Sequence, residues 1–379
     1  MISRYNYFFL LFFFEFFCIP FSLACKSITV RVLLSHISKK DEGTWHLTSE
    51  KGFWVHAATE VKKKQFFKHR VTITVKKGHL FCNGKKVNQE IMLKPVMGYA
   101  DCNGIAYDGF FSIIPNKETC LCINHVDLED YIVSVLRTES WPGWPLEVNK
   151  VFAITCRSYV VAKIFESQKT DKSYHVKNTN VHQTYRGKHD VTVLKHAVEQ
   201  TKSVVLGFNR QPILAMFDSC CGGVVPAYIA DVDFRKAPYL ARTHACTHCS
   251  KCSLYSWNVS YALDDFERII KPFIGTIGKL RDIYVIQQDH AGLIMKIMVK
   301  GSKGYVVISG KQLYSALKEV KSFYFDIHKK GDAIVVAGWG FGHHLGLCQW
   351  GARQMVRDGW DYKSILHYYY PNTSFMKIV

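Results

Sequence analysis

The stretch DLEDYIVSVLRTESWPGWPLEVNKVFAITCRSY, residues 127–159, predicts two helices separated by a short connector. Its first half carries apolar residues at helical spacing, namely Leu128, Tyr131, Ile132, Val135 and Leu136. Asp127 is suited to cap the first helix, and Pro142 ends it. Pro145 suits the first turn of the second helix. Glu139 is therefore expected in a tight connector just past the first helix.

The sequence before this stretch is typical of strands. Residues 28–34 and 71–75 alternate between apolar and polar side chains, and Asn83-Gly84 separates two short strand-like runs as in a hairpin. After the stretch, strand-like and helix-like patterns follow one another. The pattern predicts an α+β protein, with a β-rich N-terminal region over residues 25–124 and a mixed α/β domain over residues 125–379.

The first 24 residues have the layout of a secretory signal peptide. Arg4 precedes an almost wholly apolar run, and small residues follow at Ser22 and Ala24. Cleavage after Ala24 would expose Cys25, and Ser22-Leu-Ala-Cys25 is an imperfect version of a bacterial lipoprotein box. We therefore expect an exported protein of the periplasm or cell envelope. A lipid anchor at Cys25, which would hold the chain at the membrane surface, stays an open alternative.

The charge balance indicates a polyanionic partner. The chain has 49 Lys and Arg residues against 31 Asp and Glu residues, a net charge of +18. Such a surface attracts nucleic acid, anionic lipid or an acidic cell wall. Zinc-finger spacing of the C2H2 type, an RNA-recognition signature and a dense basic block are all absent from the sequence, so a nucleic-acid partner is not expected.

The 13 cysteines suggest cross-links or a metal site. Cys246, Cys249 and Cys252 form a Cys-x2-Cys-x2-Cys cluster that could supply three zinc ligands. The fourth ligand could be His244 or His248, which are close in sequence, or one of the adjacent cysteines Cys220 and Cys221. Disulfides among the same cysteines are the competing interpretation for an exported chain.

Glu139 is the candidate acid. Its neighbours Trp141 and Trp144 would desolvate the carboxyl, and the negative end of the helix would also disfavour ionisation. Both effects raise the pKa of a carboxyl, and a Glu that stays protonated near neutral pH suits general acid chemistry on a glycosidic bond. An ordinary surface Glu beside two core tryptophans is the alternative.

Four blocks resemble, in order, the motifs of the SpoIID family of cell-wall proteins. The first is the stretch from Val126 to Tyr159, and the second is Gln183-Thr-Tyr-Arg-Gly187. The third is Ser219-Cys-Cys-Gly-Gly223, and the fourth runs from Gly340 to Ala352 and includes His343-His-Leu-Gly-Leu-Cys-Gln349. The glycines of the last two blocks are expected to provide unusual backbone angles.

The resemblance implies a lytic transglycosylase. Members of the family cut peptidoglycan glycan strands, preferably those without stem peptides, and leave 1,6-anhydro ends, as in cell-wall remodelling or division. The family's catalytic Glu falls on Glu139, in a catalytic domain over residues 125–379 with a substrate groove. The remaining matched positions are expected to bind substrate or shape the site, and they are Lys150, Arg157, Tyr185, Ser219, His343 and Gln349. For Lys150 and Arg157, an ion pair that holds the helix in place is the alternative.

The resemblance also bears on cofactors and partners. The reaction requires no cofactor, but some members hold zinc through a cysteine directly before Gln-x-Tyr, where this chain has His182. The other cysteine position falls on Val176, with His175 beside it. Some relatives enhance a separate wall amidase, so a non-catalytic glycan-binding module with an amidase partner is the main alternative. A cysteine-crosslinked envelope protein is a third.

Overall fold

The computed structural model describes residues 27–59, 62–226 and 232–378. These residues form seven helices and 24 strands, and 24% of the chain is helical and 37% is strand. The predicted α+β class is confirmed. The predicted signal peptide and Cys25 lie outside the described residues.

Strands dominate the N-terminal part, as predicted. They are β1 (Thr29–Ser38), β2 (Gly43–Thr48), β3 (Phe53–Ala57), β4 (Gln65–Phe67), β5 (Arg70–Lys76), β6 (His79–Cys82), β7 (Lys85–Val87), β8 (Ile91–Pro95), β9 (Tyr99–Cys102), β10 (Ile105–Asp108), β11 (Phe110–Pro115) and β12 (Thr119–Asp127). The later strand β13 (Val176–Lys177) completes a seven-stranded sheet in the order β13-β1-β12-β11-β8-β3-β4. A six-stranded sheet has the order β10-β9-β2-β5-β6-β7.

Buried and exposed side chains alternate along these strands, so that one face of each sheet packs against the core. In β5, Val71, Ile73 and Val75 are all buried, so one face of the strand packs inward. The predicted hairpin joins β6 to β7, with positive φ angles of 46° at Asn83 and 80° at Gly84.

The helices α1 (Leu128–Glu139), α2 (Leu146–Ser167) and α3 (Thr192–Gln200) pack against these sheets. Asp127 caps α1 as predicted, since its carboxylate accepts a 2.8 Å hydrogen bond from the Glu129 amide. The five predicted apolar positions of α1 are all buried. The principal core therefore extends from the N-terminal strands across residue 125 into the helices.

The rest of the chain adds strands and four helices in several smaller sheets. They are β14 (Val204–Phe208), β15 (Gln211–Pro212), β16 (Phe217–Asp218), β17 (Ser256–Ala262), α4 (Leu263–Ile274), β18 (Leu280–Gln288), β19 (Ile294–Gly301), β20 (Gly304–Ser309), α5 (Gly310–Ala316), β21 (Tyr324–Lys330), β22 (Ala333–Trp339), β23 (Leu347–Cys348), α6 (Gln349–Arg357), α7 (Tyr362–Tyr369) and β24 (Ser374–Lys377). Elements from β17 to β22 enclose a second hydrophobic core, whereas α6 and α7 contribute to the first.

Two glycine-rich loops meet where the chain returns from the second core. β16 pairs with β23 in parallel, and Cys220 forms an isolated bridge with Phe341. Gly222 has φ +63°, and a Cβ there would lie 2.7 Å from the Gly340 amide nitrogen. Gly342 has φ +138°, and a Cβ there would lie 2.3 Å from the Cβ of Asp218. Only glycine fits these backbones, as expected.

Candidate active site

Glu139 is the last residue of α1 and is held from two sides. Its Oε1 accepts a 2.6 Å hydrogen bond from the Thr184 amide, and its carbonyl accepts one of 2.8 Å from Gln349 Nε2. The following residue, Ser140, donates 2.6 Å to Asn149 Oδ1 on α2 and so fixes the connector. Three of the four family-like blocks therefore converge on this residue.

Burial raises the pKa of Glu139 above its ordinary value, because a charged carboxylate loses solvation there. The hydrogen bond from Thr184 opposes this shift, since it favours the ionised form. The net direction is upward. The carboxyl therefore keeps its proton to a higher pH than an exposed Glu does.

Glu139 lines a cleft of about 390 Å³. Ser219, His343 and Gln349, three of the six predicted substrate-binding residues, line the same cleft. Aromatic and other apolar walls come from several segments, and they are Tyr159, Val181, Met216, Phe217, Tyr314, Phe323 and Phe341. The volume falls in the range of ligand sites, and polar groups converge on an otherwise apolar cavity as such sites require.

The tryptophans predicted to surround Glu139 do not line the cleft. Trp141 is 62% exposed and Trp144 is buried against Phe152 and Trp350. The two indole rings stack on each other at 6.5 Å. The aromatic rings that line the cleft with Glu139 instead include Tyr159, Phe217 and Phe341. Trp144 packs on Phe152 of α2.

Arg157 and Tyr185 are corrections to the predicted substrate contacts. Arg157 has no exposed surface and pairs with Glu129, with 2.6 Å between Nη2 and Oε2. Tyr185 is 1% exposed and donates a 2.8 Å hydrogen bond to Asn124 Oδ1 in the core. Neither side chain lines the cleft. For Arg157 the structure shows the ion-pair alternative.

Lys150 is also outside the cleft. Its Nζ lies 2.5 Å from Glu147 Oε1 and 5.7 Å from the ring centre of Tyr362. The pair joins the first turn of α2 to the start of α7, because Glu147 also accepts a hydrogen bond from the Tyr362 amide. The structure again shows the ion-pair alternative for this lysine.

His343 is neutral in the cleft. Desolvation lowers the pKa of His343 to about 4, and its Nδ1 accepts a 3.1 Å hydrogen bond from the Leu345 amide. The cleft wall therefore carries an imidazole that favours its uncharged form.

Asp218 is a cleft residue that sequence reasoning missed. It is 5% exposed, its Oδ2 accepts a 2.7 Å hydrogen bond from the His344 amide, and its Oδ1 has no hydrogen-bond partner among the described residues. Burial raises the pKa of this carboxyl well above its ordinary range. The available signal was its position directly before Ser219.

The family-type zinc position does not fit a metal in this chain. Val176 has no ligand atom, and both ring nitrogens of His175 lie within 3.1 Å of Arg31 nitrogens. His182 lines the cleft, and its Nδ1 accepts a hydrogen bond from the Lys177 amide at 3.2 Å. The histidine lone pairs are thus already engaged by protein donors.

The cysteine cluster differs in membership from the predicted one. Cys221, Cys246, Cys249 and Cys348 place their sulfur atoms within 4.8 Å of one another. Cys252 is outside this group, and its Sγ lies 3.5 Å from that of Cys220. The prediction of Cys252 as a third ligand is therefore wrong in geometry, because two ligands come from loops remote in sequence.

Comparison with known proteins identifies the family of this site. Residues 116–208, which include α1, Glu139, α2 and Thr184, match the SpoIID family model, described as Stage II sporulation protein. The chain is 26% identical to Stage II sporulation protein D of Bacillus subtilis over 273 residues, which cover 66% of this chain and 75% of that protein. Residues 116–208 are therefore SpoIID-like, and the chain resembles Stage II sporulation protein D beyond that segment.

Other relatives extend the comparison beyond the SpoIID match. An uncharacterized protein of Brachyspira hyodysenteriae is 29% identical over 71% of this chain and 72% of its own length. The amidase enhancer of Bacillus subtilis is 27% identical over 63% of this chain but only 39% of its own length. Residues 238–346, which contain the second core, match a model described as a domain of unknown function.

The match to the SpoIID family model supports a role related to sporulation or the cell wall. Among the described residues, no helix combines the length and the hydropathy needed to cross a membrane.

Proposed function

We propose that this SpoIID-like chain is an exported lytic transglycosylase that cleaves peptidoglycan glycan strands, with Glu139 as general acid and then base. The observation that carries the proposal is a buried carboxyl of raised pKa on the wall of a ligand-sized cleft. A proton donor near neutral pH is what cleavage of a glycosidic bond needs.

Glu139 begins the reaction protonated. Because the Thr184 amide donates to Oε1, the transferable proton resides on Oε2. Glu139 gives this proton to the glycosidic oxygen as the bond to the anomeric carbon breaks. The substrate's own 6-hydroxyl then attacks that carbon, and the Glu139 carboxylate takes its proton. The products are a free hydroxyl end and a 1,6-anhydro end, and the acid is restored.

A single carboxyl is sufficient for this route. A retaining glycosidase would need a second, nucleophilic carboxylate about 5–5.5 Å from the acid. Asp218 is the other carboxyl of the cleft, but it is almost wholly buried and tied to the His344 amide. That placement suits a residue that shapes the loop before Ser219. An intramolecular attack by the substrate requires no protein nucleophile.

The rest of the cleft suits a polysaccharide. The exposed ring of Phe341 and the ring of Tyr159 offer flat apolar faces for sugar rings, and Asn180 and Ser219 offer hydrogen bonds. The net charge of +18 favours association with an acidic envelope.

Digestion of purified denuded glycan strands tests the proposal, with anhydro-ended fragments detected by mass spectrometry. Glu139→Gln keeps the acceptor for the Thr184 amide but cannot donate a proton as an acid, so the rate should fall by roughly 10²–10⁴-fold. The matched control is Glu118→Gln, the same change at an exposed turn residue, and it should cut normally. Equal product from Glu139→Gln and Glu118→Gln would show that the acid is misassigned.

The second candidate function is glycan binding that enhances a wall amidase. It is favoured by the likeness to a protein named amidase enhancer. Under this alternative, wild-type protein yields no anhydro-ended fragment, still binds denuded strands, and accelerates release of stem peptides by a purified amidase. Anhydro-ended fragments from the wild type alone would refute it as the principal activity.

A further inference from the structure

Four buried cysteines converge below the cleft from three distant parts of the chain. Cys221 lies in the glycine-rich loop after β16, Cys246 and Cys249 lie in the segment before β17, and Cys348 ends β23. All four sulfur atoms lie within 4.8 Å of one another. Packing alone does not require four cysteines at this point, because aliphatic side chains would fill the same space equally well.

The sulfur spacing is that of a metal site. Zinc–thiolate bonds of about 2.3 Å in a tetrahedron place the sulfur atoms about 3.8 Å apart. The Sγ atoms of Cys221 and Cys249 are 3.7 Å apart. A disulfide would require about 2.05 Å, and the cysteines of the described residues are all free. Cys246 and Cys249 also have the Cys-x2-Cys spacing common in zinc sites.

The surroundings are arranged to stabilise thiolates. The amides of Cys221 and Gly351 both donate to Cys348 Sγ at 3.3 Å, and Cys348 is the N-cap of α6. The Tyr369 hydroxyl lies 3.1 Å from Cys246 Sγ. Amide donors and the positive end of a helix both favour a negatively charged sulfur. Gly351 makes room for this arrangement, since a Cβ there would lie 2.9 Å from Cys246 Sγ.

A buried cation accompanies the cluster. Arg242 is 3% exposed, and its guanidinium lies 5.7 Å from the ring centre of Tyr369, whose hydroxyl contacts Cys246. The hydrogen bonds of Arg242 go to the carbonyls of His244 and Val224, and the carboxyl of Asp218 is close enough to interact with it electrostatically. A buried cation needs a negative partner nearby. Four thiolates around a divalent ion carry two net negative charges, which supplies one.

We propose that Cys221, Cys246, Cys249 and Cys348 bind one Zn²⁺ ion through four thiolates. Four thiols release four protons as four Zn–S bonds form, so binding is weaker in acid. Four protein ligands leave no open position, which makes the ion structural. Cys220 and Cys252, whose Sγ atoms are 3.5 Å apart, lie beside the site and outside this set of four.

The ion would hold the cleft floor in place. Cys348 precedes Gln349, which hydrogen-bonds the Glu139 carbonyl, and Cys221 shares a loop with the cleft residue Ser219. A metal that joins these loops thus supports the site from below. The inference concerns metal content, so it stands or falls separately from the proposed reaction.

Metal analysis of the purified full chain tests the site. We expect about one zinc per chain by elemental analysis. Titration with a mercurial thiol reagent should release that zinc as about four thiols react, a measurement that needs no variant. Cys252→Ser is the matched control and should keep its zinc, whereas Cys246→Ser and Cys348→Ser should each lose most of it.

Three results would overturn the site. One is a zinc-free chain whose unreduced peptide map shows disulfides among these four cysteines. Another is loss of zinc from Cys252→Ser equal to that from Cys246→Ser. The third is a coloured protein that contains iron and sulfide, because an S4 site can also hold an iron–sulfur cluster.

Discussion

Substitution of Glu129 by Gln should destabilise the helical layer while leaving the cleft chemistry intact. The Arg157 side chain has no exposed surface, and that of Glu129 is 21% exposed. Arg157 donates through Nε and Nη2 to both carboxylate oxygens at 2.6–3.2 Å. It also donates to the Val204 carbonyl at 3.1 Å, so every side of the guanidinium meets protein.

The expected cost follows from what remains after the change. Glu129→Gln leaves a buried guanidinium without a counter-charge, and loss of one partner of a buried pair costs about 3–5 kcal/mol. We expect the lower end, about 3 kcal/mol, because Glu129 is partly hydrated in the native protein. The amide oxygen of Gln can still accept from the Ser203 amide, as Glu129 Oε1 does at 3.0 Å.

Glu147→Gln on α2 is the matched control. Its pair with Lys150 has side chains 34% and 16% exposed, and such a pair contributes about 0–1 kcal/mol. Hydrogen exchange of the α1 and α2 amides, followed by mass spectrometry, measures the local opening free energy without assuming that both cores unfold together. The double variant Glu129→Leu with Arg157→Met should recover much of the loss, because it removes both charges.

Two outcomes would refute the reasoning. Equal costs for Glu129→Gln and Glu147→Gln would mean that the burial of Arg157 has no energetic consequence. An Arg157→Met variant of native stability that no longer binds denuded glycan would restore substrate contact as the role of this arginine.

Two more predictions concern a buried tyrosine and a half-buried histidine. Tyr185→Phe should lower the unfolding free energy by about 1–3 kcal/mol, because Asn124 Oδ1 loses its 2.8 Å donor in the core. The rate of glycan cleavage per folded molecule should not change. A selective loss of glycan binding would contradict this prediction. For His175, burial and then Arg31 lower the pKa from 6.5 to about 4, so the folded state favours neutral imidazole and stability is full above pH 6.5 and lost as pH falls toward 4. This residue should therefore lower the unfolding free energy by about 2 kcal/mol between pH 7 and pH 5. Urea titrations at the two pH values measure that difference, and His175→Gln should remove this contribution to it. An unchanged difference in the variant would refute the assignment.

Local features of the structure were predictable because neighbours in sequence decide them. The cap at Asp127, the buried face of α1 and the Asn83-Gly84 hairpin depend on residues a few positions apart. The same short-range rules placed Glu139 just past the first helix, and the structure makes it the last residue of that helix. Ser219, His343 and Gln349, which lie on the family-like motifs, line the cleft with Glu139.

Side-chain contacts between residues far apart in the sequence were not predictable in the same way. Arg157 and Glu129 are 28 residues apart, and only the packing of α2 against α1 shows that the arginine faces inward. The sequence singled out Cys246 and Cys249 by their spacing, but Cys221 and Cys348 join them only through the parallel pairing of β16 with β23. A motif such as Cys-x2-Cys is visible in the sequence because its residues are a few positions apart. Contacts between distant loops depend on how all the strands pair, which the sequence pattern does not show. The sequence therefore determined the elements and singled out Glu139, and tertiary structure alone decided what surrounds each of them.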